Sequence, residues 1–363
     1  MLPYPSAEAA MLLISIVLAL QTPIDSVALV TRDIPNFWRA YDSATGKPDA
    51  EQARTFRAVY LQPGSPGLRD WMRLRLMNRD TVRARMIASG WTAARLDSLS
   101  RDSLERASAP FAEQSGAEEL VRALRGYPRY YAAVRSRTLA VDTNAAIRHG
   151  IRQGLARLAG LYPEARFPNI YFLIGTLSTG GTVGRSGMLI GTEQSASGPD
   201  TPLDELPSWA QKGFPTHDFA SLVGLIVHEA VHTQQRPMPP GQHDTLLRHA
   251  LGEGIADFLS ELAVGPWAAK TPRQMYGRAH EHDVWVDFQD EMEMASDSII
   301  RTWMYNGMVP PDRNHGAVDI GYWVGNRIAG AYYARAADKR AAVRELLELR
   351  DPEAILRESG YAP

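Results

Sequence analysis

The sequence predicts an α+β fold, mostly helical. A small β-sheet sits beside a pair of helices that carry the chemistry, and a helical region precedes both. Three observations lead there. From Ile34 to about Leu161 the apolar residues recur three or four positions apart, the period of a helix face packed on a core. At Asn169 the period changes, and two short β-rich runs, "NIYFLIG" and "MLIGTEQ", flank the glycine-rich "GTLSTGGTVGRSG". Helical spacing returns from Asp218, in the part of the chain that also holds eight of the nine histidines, between His217 and His315.

The first element is the apolar run Ala9–Leu20, twelve residues long. A membrane span needs about 20. The run fits the core of a secretory signal, with "SVA" at Ser26–Ala28 as a cleavage site, although no Lys or Arg precedes it. Residues 1–28 are therefore expected to be a signal peptide, and the protein to be exported to the periplasm or the cell exterior of a bacterium. Residues 29–165 follow as a helical region, with segments such as "PNFWRAYDSA", "AEQARTFRAVYLQ" and "AEELVRALRGYPRYYAAVRSRTL". It holds no cluster of chemical residues, and packing is its expected role.

Residues 166–363 are expected to form the catalytic region. The glycine-rich stretch lacks the Gly-Lys-Ser/Thr ending of a phosphate loop, which argues against nucleotide binding. It reads as a loop joining two strands, and the "MLIGTEQ" strand is expected to be able to align an extended peptide. A helix is expected from about Asp218 to Gln235, capped by Thr216 or Asp218 and ended by Pro237, Pro239 and Pro240. A second runs from near Asp244 to Gly265. Later helices cover roughly 281–305, 320–337 and 338–349.

Composition narrows the chemistry. The net charge is −2 and basic residues are 35 Arg and 4 Lys, so nothing electrostatic favours a nucleic-acid partner. Cysteine is absent, which excludes disulfides, thiolate metal sites and a cysteine nucleophile. A metal site must then use histidine and carboxylate.

The first of the two helices carries His228-Glu229-Ala230-Val231-His232. Positions i and i+4 share a helix face one turn apart, so both imidazoles reach one ion while Glu229 sits beside it. A catalytic zinc site uses three protein ligands and leaves one position open. A histidine six residues after the second is one way to complete the set, but Met238 stands there. The second helix supplies "LGEGIADF". Glu253 lies 21 residues after His232, enough for a turn and an antiparallel return, and Asp257 lies one turn further on the same face, placed to hold the outer N–H of His228 or His232. His249 shares that face and is the rival third ligand. Glu261 reads as a solvated or supporting carboxylate. Gly252 and Gly254 flank Glu253 although glycine costs a helix about 1 kcal/mol, which points to a close helix–helix approach around a metal.

His-Glu-x-x-His followed by Gly-Glu-x-x-x-Asp resembles the gluzincin zinc peptidases, the thermolysin-like group. The resemblance implies one Zn2+ per chain held by His228, His232 and Glu253, with Glu229 as general base, Asp257 behind a histidine, and a zincin-type helix pair. It covers about 30 residues. A longer and weaker resemblance, from "FRAVYLQPGSPGL" to "IGYWVGNRIAGAYY", is to exported bacterial predicted zinc-protease families that include relatives of the gliding-motility lipoprotein; this chain has no cysteine to carry a lipid. Candidates for the group that stabilises the oxyanion are Tyr322 in "DIGYWVG" first, then His315, with His280 and His282 of "RAHEHD" behind. "HEH" reads either as a second metal site or as surface histidines. The expected function is hydrolysis of peptide bonds in a peptide or protein substrate by metal-activated water. The alternatives are a metal-stabilised envelope binding or assembly protein with little or no turnover, and a zinc hydrolase of non-peptide amides.

Overall fold

A computed structural model describes residues 24–214, 219–307 and 317–363. Most of the expected signal peptide, the expected caps Thr216 and Asp218, and the oxyanion candidate His315 lie outside the described residues. Among the described residues the chain is mostly helical with one four-stranded sheet, as an α+β fold requires. It divides into two compact units, one of residues 28–143 and 169–205 and one of residues 24–27, 144–168 and 206–363.

In the first unit, helices span Asp33–Ala44, Asp49–Phe56, Pro66–Trp71, Arg79–Ala88, Ala93–Ser98, Arg101–Gly126 and Pro128–Thr143. Ser65, Asn78, Thr92 and Ser100 each start a helix by accepting a backbone N–H with a side-chain oxygen. The spacing of "AEELVRALRGYPRYYAAVRSRTL" is helical throughout, yet the helix breaks at Tyr127, whose φ of −134° and ψ of 52° lie outside the helical region that a following proline disfavours.

The sheet order is β1 (Leu29–Val30), β2 (Ile170–Leu173), β4 (Gly187–Gly191), β3 (Gly181–Gly184). β2 is parallel to β1 and β4, and β3 is antiparallel to β4. Two expectations are corrected here. The glycine-rich stretch is not only a loop: Gly181–Gly184 pairs with β4 through a hairpin that closes at Gly184 and Gly187, where Gly187 has a φ of 142°. The "MLI" strand is therefore interior to the sheet, with both edges paired, and has no edge left for a peptide. Its "TEQ" turns into a short helix, Thr192–Ser195.

The N-terminal helices and the sheet share one core. Phe37, Phe56, Tyr60, Trp71, Tyr130, Tyr131, Phe172 and Leu173 are all buried. Tyr60 and Tyr131 donate their hydroxyls to the carbonyls of Ile174 and Gly175 at 2.7 Å each, and Tyr130 donates to the Glu193 carbonyl at 2.7 Å. Buried polar groups need such partners, and these lie across 44 to 114 residues of sequence. A boundary near residue 165 therefore does not separate the helices from the strands.

One side chain of this core is left half-satisfied. Glu193 is fully buried; its Oε1 accepts from the Leu177 N–H at 3.2 Å, and its Oε2 has no hydrogen-bond partner. Burial, opposed by backbone N–H groups of Gly175, Glu193 and Leu177, raises its carboxyl from 4.5 to about 7. The folded state thus binds the proton more tightly than the unfolded chain, and stability is lost as pH rises from 4.5 through 7. Glu193→Gln, whose amide nitrogen would take the place of the unpartnered oxygen, is expected to be more stable than the wild type at pH 8 by roughly 3 kcal/mol. The gain should vanish near pH 4. Denaturant titrations at both pH values check this, and a difference independent of pH would contradict it.

The second unit is built on the helices Ala145–Leu161, Phe219–His232 (the histidine helix), Leu246–Val264 (the glutamate helix) and Ile320–Arg335. Shorter helices cover Ser208–Gly213, Pro272–Ala279, Glu281–Glu291, Asp297–Trp303, Lys339–Glu348 and Pro352–Ser359. The helix expected over 281–305 is two helices. The break between them has a use: the carbonyls of Met292 and Met294 accept the N–H groups of Leu247 and Leu246 at 2.8 and 2.9 Å, satisfying the start of the glutamate helix. Among the described residues no helix is long and apolar enough to cross a membrane.

Candidate metal centre

The histidine helix is buried because its sequence is apolar nearly all round. Ile226, Val227, Ala230 and Val231 are all fully buried, and His228 and Glu229 are only 5 and 6 % exposed. Two imidazoles and a carboxylate in such surroundings need compensation. The antiparallel return expected from the 21-residue spacing brings Glu253 to them.

His228 Nε2 and His232 Nε2 lie 3.0 Å apart. Glu253 Oε2 lies 3.4 Å from the first and 3.1 Å from the second. Ligand atoms at zinc bond lengths of about 2.0–2.1 Å in a tetrahedron would stand about 3.3 Å apart, so the triangle has the size of one zinc face.

The outer ring nitrogens decide which atoms face inward. His228 Nδ1 lies 2.9 Å from Asp257 Oδ1, and His232 Nδ1 lies 2.8 Å from Gln235 Oε1. Each outer nitrogen has an oxygen beside it, and in the tautomer with the proton on Nδ1 the two Nε2 lone pairs and a carboxylate oxygen converge on one point. That arrangement repels itself unless a cation or a proton occupies it. His228, His232 and Glu253 are the one such group of potential ligands among the described residues.

The electrostatics agree. Burial alone would lower the His228 imidazole, but Asp257 and Glu253 override it and raise it to about 10. Burial opposes His232 in the same way, and Glu253 raises it. Glu253 itself, against burial, is held well below the usual carboxylate range by both histidines. The pocket attracts positive charge.

The supporting residues were only partly foreseen. Asp257 backs His228 rather than His232, and Arg273 donates to its other oxygen at 2.8 Å. Gln235 backs His232 and in turn donates to the Gly252 carbonyl at 2.6 Å. Gln235 was legible, lying three residues after His232, while Arg273 comes from "TPRQM", which has no pattern to mark it. Glu261 is half-buried and accepts from Asn326 at 3.1 Å.

The glycines beside Glu253 act differently from expectation. A Cβ on Gly254 would stand 2.1 Å from the Gly325 carbonyl carbon, and one on Gly325 would stand 1.7 Å from the Ala250 oxygen. The close approach is thus between the glutamate helix and Ile320–Arg335, not the histidine helix. A Cβ on Gly252 would meet nothing within 4 Å.

Tyr322 is brought to the centre. Its ring lies nearly parallel to that of His228, with centroids 6.4 Å apart, and Arg273 sits over it at 4.6 Å. Burial and the charge of Glu253 push its hydroxyl well above the usual range, so it remains a proton donor at neutral pH. The rival ligand His249 is outside the triangle, with Nε2 3.1 Å from Asp244 Oδ1 and Nδ1 3.2 Å from the Tyr305 hydroxyl. Among the described residues the "HEH" histidines join no metal cluster: His280 stacks on Tyr276 at 4.4 Å, and His282 Nδ1 lies 3.0 Å from the Pro363 carbonyl.

The family of gliding motility protein GldB has a model that matches residues 129–363, more than half of the chain and all three residues of the triangle. The chain belongs to the GldB family. Comparison with curated proteins and with solved structures gives no match. The GldB match takes in the histidine helix, the glutamate helix, Arg273, Tyr305 and Tyr322, so the whole centre lies within the family region.

Proposed function

We propose that this GldB-family chain is an exported, zinc-dependent hydrolase of the gluzincin type acting on peptide bonds. The observation that carries the reading is the triangle of His228 Nε2, His232 Nε2 and Glu253 Oε2, with an oxygen within 3 Å of each outer nitrogen. Zinc held there supplies a Lewis acid for a carbonyl oxygen and for water. Glu229 takes the proton of the attacking water and passes it to the leaving amine. Its place supports this: it neighbours His228 in sequence, is buried, and its charge acts on His232. The Tyr322 hydroxyl donates to the oxyanion that develops on the carbonyl. Asp257, itself held by Arg273, keeps the His228 ring turned so that Nε2 faces inward.

A second reading is favoured by the family description, which names gliding motility rather than hydrolysis. On it, the chain is a component of the bacterial envelope, metal-stabilised and with little or no turnover, that works by binding or assembly. One experiment separates the two. The purified full chain is assayed for zinc content and for cleavage of a peptide library with and without chelator. One zinc per chain with chelator-sensitive cleavage supports the peptidase. One zinc with no cleavage, and a loss of thermal stability on chelation, supports the envelope component. A chain that takes up no zinc removes both.

A further inference from the structure

Two histidine contacts bring Glu253 Oε2 into the triangle, but they do not stop its carboxylate from turning about its last bond. Another side chain is placed to do so. Tyr305, 52 residues further along the chain, has a hydroxyl close enough to the Glu253 carboxylate for the two to interact; burial and that carboxylate raise the hydroxyl well above its usual range. The same hydroxyl oxygen lies 3.2 Å from His249 Nδ1, and His249 Nε2 lies 3.1 Å from Asp244 Oδ1. A line of side chains thus runs from Asp244 through His249 and Tyr305 to the ligand.

The backbone at Tyr305 is unusual in a way that fits this use. Its φ is 57°, in the left-handed region that a bulky residue rarely adopts. Asp319, with a φ of 54°, shares that feature. Between these two strained positions is a reciprocal clasp: the Asn306 N–H donates to Asp319 Oδ1 at 2.8 Å, and the Asp319 N–H donates to Asn306 Oδ1 at 2.7 Å. Asn306 also donates from Nδ2 to the Thr302 carbonyl at 3.0 Å. Strain of this kind persists where surrounding structure over-determines it, and it gathers at functional sites. The Tyr305 ring is further wedged edge-on against His249 and Tyr322, at centroid distances of 5.8 and 6.2 Å.

We infer that Tyr305 is a positioning residue that sets the orientation of the metal ligand Glu253, steadied by His249 through its hydroxyl and by the Asn306–Asp319 clasp through its backbone. The inference rests on the reading of His228, His232 and Glu253 as a metal centre. Tyr305→Phe removes only the hydroxyl and keeps the ring against His249 and Tyr322. Zinc affinity, read by competition with a chromophoric chelator, is expected to fall about 10–100-fold. The visible absorption of the Co2+-loaded protein is expected to change as the carboxylate turns, a signature that general loosening of the fold would not produce, and metal-free unfolding should match the wild type. His249→Gln, which leaves Tyr305 in place, should move affinity in the same direction by a smaller factor. Wild-type affinity together with a wild-type Co2+ spectrum in Tyr305→Phe would overturn the inference. Failure of the wild type to bind zinc or Co2+ would instead overturn the metal reading, and the inference with it; that failure is recognised because it appears without any substitution.

Discussion

Glu229→Gln is expected to keep one zinc per chain and to lose peptide hydrolysis by about 10²–10⁴-fold. The substitution changes almost no volume. Glutamine fills the same buried place beside His228 but cannot take a proton. None of the three atoms of the triangle is altered, so the metal remains. The lost negative charge acted on His232, so zinc affinity should weaken slightly rather than disappear. The measurement is paired: metal content and kcat/KM on one preparation. A variant that cleaves at the wild-type rate would show that Glu229 is not the base. A variant without metal would show instead that its carboxylate helps to hold the ion.

Gly325→Ala is expected to cost about 3 kcal/mol or more and to empty the metal centre with it. Overpacking usually costs about 1–3 kcal/mol because side chains give way. Here the added carbon would stand 1.7 Å from the Ala250 carbonyl oxygen and 2.4 Å from its carbon, and a helix backbone cannot give way without moving the helix. Ala250 lies one turn before Gly254, the neighbour of Glu253, so a shift there carries the ligand with it. Gly252→Ala is the matching control: its Cβ meets nothing within 4 Å, and alanine should gain about 1 kcal/mol in helix preference. Unfolding and zinc content of the two variants should move in opposite directions from the wild type or, for Gly252→Ala, leave zinc unchanged. A Gly325→Ala protein that melts with the wild type would contradict the packing described.

What could be read from the sequence was what depends on short periods. The i, i+4 pair, the antiparallel return to Glu253 and the one-turn step to Asp257 all follow from 3.6 residues per turn, and each of these side chains reaches the centre. What could not be read depends on partners far away in the chain. Tyr305 is set by a clasp thirteen residues wide and a contact 52 residues away, and Arg273 reaches Asp257 from a helix with no chemical pattern. β3 was hidden because a strand with glycine at both ends shows no alternation. Gly254 announced a close approach but not its partner, since a glycine reports that something is near and not what it is.

The hydroxyl bonds of Tyr60 and Tyr131 to the end of β2 bear on how the chain can be divided. A cut after residue 143 leaves these donors on one fragment and their acceptors, Ile174 and Gly175, on the other. The GldB family region, which starts at residue 129, also leaves out Tyr60 and the buried Phe37, Phe56 and Trp71 beneath the sheet. The stretch by which the family is recognised is therefore not a stretch that can bury its own sheet. Two such fragments would rebuild the first unit only by recombining, as halves of one folding body and not as neighbours joined by a linker.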